Sequence, residues 1–194
     1  MTPNTVRAFI AIPLPADLRE QLGRVQRKLE RAVPPGSVRW VRPDGIHLTL
    51  KFLGDTVTAR LPEIEAALAA VARNVTPCPF AVGGLGCFPN LHSPRVVWVG
   101  VQEPAGKMAL LQDAIEEVME PFGYPREGRG FHPHLTLGRV QQGASRQEKA
   151  QIGEVVGAAE LGVLGEVAAD WFELIQSVLK PSGAEYTTLK VFSL

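Results

Sequence analysis

The tetrapeptide His-Leu-Thr-Leu stands at His47-Leu48-Thr49-Leu50 and again at His134-Leu135-Thr136-Leu137. The parts around each copy come in the same order. An apolar stretch from Val6 to Ile12 leads through a helical segment to the first copy, and a stretch from Arg95 to Val101 leads through another to the second. Arg7 precedes His47 by 40 positions and Arg95 precedes His134 by 39. Two units are too few for a solenoid. The repeat therefore predicts an α+β, bilobal, pseudo-duplicated fold: two mainly antiparallel sheets flanked by helices, with a central cleft. The length, 194 residues, suits one bilobal domain over 1–194 with halves at 6–88 and 94–192.

Local patterns fill in the parts. Leu18, Leu22, Val25 and Leu29 recur at helical spacing over 17–32, and Pro34-Pro35-Gly36 stops that helix. Strands are expected over 38–41 and 46–53, flanking a turn at Arg42-Pro43-Asp44-Gly45. A helix over 59–73 comes next, then a strand over 79–88 in which Gly83-Gly84 and Gly86 predict a bulge or bend. After the strand at 95–101 come a helix over 106–119, a polar glycine-rich loop over 123–130 and a strand over 133–140. Ser145 with Glu148 three residues on forms a capping box for a helix to Ala158. The segments 165–180 and 185–192 read as a hairpin around Pro181-Ser182-Gly183-Ala184.

Charge narrows the function. Twenty Lys and Arg balance twenty Asp and Glu, so the protein is not a polycation built to coat nucleic acid. Any RNA would have to meet a local basic cleft, which suits an end or a small nucleotide. No run approaches the ~18 apolar residues of a membrane span, and Pro13 and Pro15 break the first apolar run before a signal-peptide core can form. Cys78 and Cys87 make neither a disulfide framework nor a zinc site. They read as buried thiols of a cytoplasmic protein, expected to be a monomer with no membrane partner.

The motif has chemistry on a strand. Alternation puts Ile46, Leu48, Leu50 and Phe52 on one face and His47, Thr49 and Lys51 on the other. In the second copy Leu135 and Leu137 face the core while His134 and Thr136 face out. Each copy thus offers an imidazole beside a hydroxyl. Two such surfaces across a cleft suit in-line displacement at phosphorus, where attacking and departing oxygens lie on opposite sides. One imidazole takes a proton from water and the other gives one to the leaving oxygen. The threonine hydroxyls can donate to the non-bridging oxygens. The scheme requires no metal and no cofactor.

Other residues are less telling. His132 and His134 lack a Cys, Asp or Glu at ligand spacing, so no metal site is expected. His92 lies in a loop and reads as solvated. Arg139 comes three residues after Thr136, which by alternation turns it away from the cleft. Gly138 beside it allows a twist that would bring it back, and local pattern leaves both readings open. Phe52, Phe131, Tyr124 and Trp40 are candidates for stacking on a base.

These residues resemble the 2H phosphoesterase superfamily, and within it the RNA 2′,3′-cyclic phosphodiesterases once labelled 2′-5′ RNA ligases. The resemblance rests on Arg7-Ala8-Phe9-Ile10-Ala11-Ile12, Trp40, His47 through Gly54, and Phe131 through Arg139, and it spans nearly the whole chain. It implies a site between two lobes that hydrolyses the 2′,3′-cyclic phosphate of an RNA end or nucleotide to a 2′-phosphate. It further implies His47 as general acid, His134 as general base, and Thr49, Thr136 and Arg139 as phosphate ligands, though the acid and base can be exchanged by symmetry. Joining of 2′-5′ ends as the main role, or an inactive RNA-end-binding module, are the rival readings.

Overall fold

The structure is a computed structural model that describes residues 4–180 and 183–194. Alternation and helical spacing resolve among these residues into nine strands and four α-helices. The strands are β1 (Thr5–Pro13), β2 (Val38–Trp40), β3 (His47–Val57), β4 (Phe80–Phe88), β5 (Val96–Gln102), β6 (His134–Val140), β7 (Val163–Val167), β8 (Trp171–Lys180) and β9 (Gly183–Ser193). The helices are α1 (Ala16–Ala32), α2 (Leu61–Asn74), α3 (Lys107–Met119) and α4 (Arg146–Ala158). The capping box forms as expected: Ser145 Oγ accepts from the Glu148 N–H and Glu148 accepts from the Ser145 N–H. None of the described helices is long and apolar enough to cross a membrane.

All strand pairings are antiparallel, in the order β7-β4-β5-β6-β3-β1-β8-β9, with β2 added beside β6. The order is a palindrome in which β6 matches β3, β5 matches β1, β4 matches β8 and β7 matches β9. Its centre is a single residue pair, Leu48 with Leu135. The two sheets read from the repeat are thus the two halves of one hydrogen-bonded sheet, joined at one point. They also exchange strands: β4 pairs with β5, while β8 pairs with β1.

Two details depart from the sequence reading. The segment 165–180 is not one hairpin arm. Val163–Val167 leaves to pair with β4, and the chain turns at 168–170 through Ala169, whose φ is 47°, before β8 starts. Residues 181 and 182 of the expected turn lie outside the described residues, but β8 and β9 do pair as a hairpin. The bulge expected near Gly83-Gly84 is present, with Gly84 at φ +73°.

Apolar residues of all four helices, among them Leu22, Leu68, Leu111 and Ile152, form one buried cluster with Ile10, Leu48, Val97, Leu135 and Leu174 from the strands. That cluster fills the space between helices and sheet. On the other face, among the described residues, Phe9, Ala11 and Ile175 form a small buried group. Cys78 and Cys87 are buried free thiols, and burial pushes each up to about 11.

Candidate active site

The pair at the centre of the sheet decides where the motif side chains go. Leu48 and Leu135 are fully buried against the helices. Their neighbours in sequence therefore point to the open face: His47 and Thr49 from β3, His134 and Thr136 from β6. The strands run antiparallel, so this register sets His47 across from Thr136 and Thr49 across from His134. Each histidine thus faces the other lobe's hydroxyl.

Beyond the motifs, both strands bulge at the same place. Thr49 pairs with Ala11 but Lys51 pairs with Ile10, leaving Leu50 as an extra residue. Thr136 pairs with Trp98 but Gly138 pairs with Val97, leaving Leu137 extra. A bulge shifts alternation by one and re-aims the side chains beyond it. Lys51 therefore points to the helix side, where it is buried against Glu116, and does not share a face with His47. Phe52 takes the open face instead, 58% exposed. On β6 the matching bulge swings Arg139 onto the face of Thr136. The carbonyl of bulged Leu137 is satisfied by the Val41 N–H at 2.8 Å and by Nε2 of buried Gln26 at 2.8 Å.

The two imidazoles are held alike. His47 Nδ1 lies 2.9 Å from the Gly45 carbonyl, and His134 Nδ1 lies 2.7 Å from the His132 carbonyl. A carbonyl only accepts, so Nδ1 carries the hydrogen in both rings and Nε2 keeps the free lone pair when the ring is neutral. Their surroundings differ. His47 stacks on Phe9 at 4.6 Å and meets the edge of Tyr186 at 5.3 Å. His134 meets the Phe88 ring edge-on at 4.8 Å. Burial lowers His47 to about 4. His134 is also lowered by burial, opposed by its hydrogen bond to the His132 carbonyl and aided by the Arg139 charge.

His47, Thr49, Thr136 and Arg139 line one cleft of about 760 Å³. His134 shares the strand face of Thr136 but does not line that cavity. Arg7, Arg39 and Arg42 also line it, and no carboxylate does among the described residues, so the neutral chain has the local basic cleft that RNA would need. Of the stacking candidates, Phe52 and Trp40 reach the cleft. Tyr124 instead donates its hydroxyl to Thr56, and Phe131 is packed against the core. Phe9 and Tyr186 are cleft residues that sequence reading missed. Phe9 alternates with Arg7 along β1, which is a readable signal, but nothing local marks Tyr186. His92 is exposed in its loop, and the described residues contain no cluster of three metal-ligating side chains.

Comparison with known proteins gives the family. Residues 12–98 match the model of the LigT-like phosphoesterases. The RNA 2′,3′-cyclic phosphodiesterase of Methanothermobacter thermautotrophicus is 35% identical over 97% of this chain and 99% of its own. The chain belongs to the LigT-like phosphoesterases. Among solved structures, a Thermus thermophilus protein superposes with a TM-score of 0.78 at 29% identity, covering 97% of each chain. LigT of E. coli in complex with 3′-AMP superposes at 0.74 and 29% identity, over 98% of this chain and 99% of that one.

In this LigT-like phosphoesterase the half-buried His47 imidazole links stability to pH. A histidine held near 4 when folded and near 6.5 when unfolded binds more protons in the unfolded chain between those values. Its contribution is complete above pH 6.5 and is lost as pH falls to 4, amounting to about 3 kcal/mol at most. Urea unfolding measured across that window should show the wild type losing stability more steeply than His47→Gln. Parallel curves would refute the effect.

Proposed function

We propose that this protein hydrolyses the 2′,3′-cyclic phosphate of an RNA end to a 2′-phosphomonoester, working as a single bilobal monomeric unit in the cytoplasm. The observation that carries the reading is the Leu48–Leu135 pair, which turns two imidazoles and two hydroxyls onto one open face. The name of the M. thermautotrophicus relative supports the substrate, and the complex of E. coli LigT with 3′-AMP supports nucleotide binding.

In this reading His134 Nε2 takes a proton from water as its oxygen attacks phosphorus. The bond from phosphorus to O3′ breaks, and His47 Nε2 gives its proton to the departing oxygen. Both rings are depressed in the free protein, and the entering phosphate anion favours the charged form that the acid needs. Thr49 and Thr136 donate to the non-bridging oxygens, and the Arg139 fork neutralises them. All proton transfers are carried by side chains of this chain. A nucleoside 2′,3′-cyclic phosphate assayed with a metal chelator should therefore be converted to the 2′-phosphate at an undiminished rate. No turnover, or turnover only with added metal, would overturn the proposal.

A further inference from the structure

Arg39 has no role in the mechanism above, yet its position is unusual. The short strand β2 pairs with β6 so that Arg39 stands directly across from Arg139. Directly opposed residues share a face with Cβ atoms about 5 Å apart, and like charges there are destabilising. Neither guanidinium is paired with a carboxylate among the described residues, although neighbouring Arg42 holds Asp44. The backbone that opposes them is firmly fixed. Val38 is buried, Gln26 Nε2 donates to the Val41 carbonyl at 2.7 Å, and Trp40 covers Gly138 so closely that a Cβ there would come within 2.9 Å of the indole. An exposed arginine is ordinarily just solvated, but two held opposite each other in a cleft free of carboxylates form a site for an anion.

We propose that Arg39, beside Arg139, holds the internucleotide phosphate that precedes the cyclic phosphate, so that the enzyme selects oligoribonucleotide ends over mononucleotides. This rests on the hydrolase reading above. Arg139 is the inner of the two: it lies on β6, the strand that carries His134 and Thr136, whereas Arg39 lies on the neighbouring strand β2. Arg139, on β6 with Thr136, serves the reacting phosphate, and Arg39 stands one strand farther out, about 5 Å beyond it, which suits the next phosphate along the chain. The cleft, about 760 Å³, is in the upper part of the range of roughly 300–1,000 Å³ for small-ligand sites. It has room for more than one nucleotide.

The test compares kcat/KM for a nucleoside 2′,3′-cyclic phosphate with that for a trinucleotide ending in one. The wild type should prefer the trinucleotide. Arg39→Ala should lose roughly tenfold or more on the trinucleotide relative to the mononucleotide, the scale of a charge-assisted hydrogen bond. Its salt dependence on the trinucleotide should flatten by about 0.7 in log–log slope, one single-strand phosphate contact. A neutral methylphosphonate at the linkage next to the cyclic phosphate should slow the wild type to the same degree and slow Arg39→Ala no further. Equal losses on both substrates, or a methylphosphonate without effect on the wild type, would overturn the proposal. The methylphosphonate arm decides the matter alone if Arg39→Ala fails to fold. Hydrolysis of neither substrate by the wild type would overturn the underlying hydrolase reading instead.

Discussion

Alanine at His47 or at His134 is expected to lower kcat/KM on a 2′,3′-cyclic phosphate by at least ~10²-fold, the lower range for removing a general acid or base. The double variant should be little worse than the poorer single one, because the two rings serve one displacement and their effects do not add. The pH profile separates the roles. A base must be deprotonated, so its loss removes the acidic limb of the bell. An acid must be protonated, so its loss removes the alkaline limb. With His47 as acid, His47→Ala loses the alkaline limb and His134→Ala the acidic one. The reverse result would exchange the roles, and full activity in both variants would sink the mechanism.

Glu116→Ala is expected to destabilise the fold by about 3–5 kcal/mol, the cost of leaving one partner of a buried ion pair alone. At roughly 2–4 °C per kcal/mol for a chain of this size, calorimetry should show a fall in Tm of about 10 °C. Lys51 and Glu116 are almost wholly buried, with side chains 2% and 4% exposed. Lys51 also donates to the Pro125 carbonyl at 2.9 Å, and Glu116 accepts from Gln112 Nε2 at 2.9 Å and from the Glu127 N–H at 3.3 Å. The pair therefore ties β3 to α3 and to the glycine-rich loop. Replacing both partners, Lys51→Met with Glu116→Leu, should recover much of the loss. A Tm unchanged in Glu116→Ala would show that the pair does not stabilise the fold.

Much of the fold is legible in the sequence, for local reasons. Helical spacing and proline stops located the helices, and period-two runs located most strands. The motif faces came from alternation alone. What alternation could not register is a bulge, because an extra buried leucine looks like any other buried leucine. Leu50 belongs to the apolar pattern either way, so Lys51 reads as a cleft residue until its pairing with Ile10 is seen. On β6, Gly138 hinted at the irregularity that brings Arg139 round, without fixing its sense. Strand pairing is a tertiary property, so neither the single joint at Leu48–Leu135 nor the exchange of β4 and β8 is written in any local window. Tyr186 was out of reach for the same reason: β9 meets β8, β8 meets β1, and only that chain of pairings carries it to His47.

The palindromic order of the sheet bears on how such a site could have arisen. A chain of half this length could build the same sheet only as a two-fold pair, each copy lending a strand to the other. In that pair every site residue would be present twice, and positions 52 and 139 would have to be the same amino acid. Joining the halves into one chain lifts that identity. Phe52 and Arg139, which occupy matching places after matching bulges, could then diverge into an apolar end and a cationic end. A symmetric pocket cannot tell which way a strand of RNA lies in it; this one has a direction.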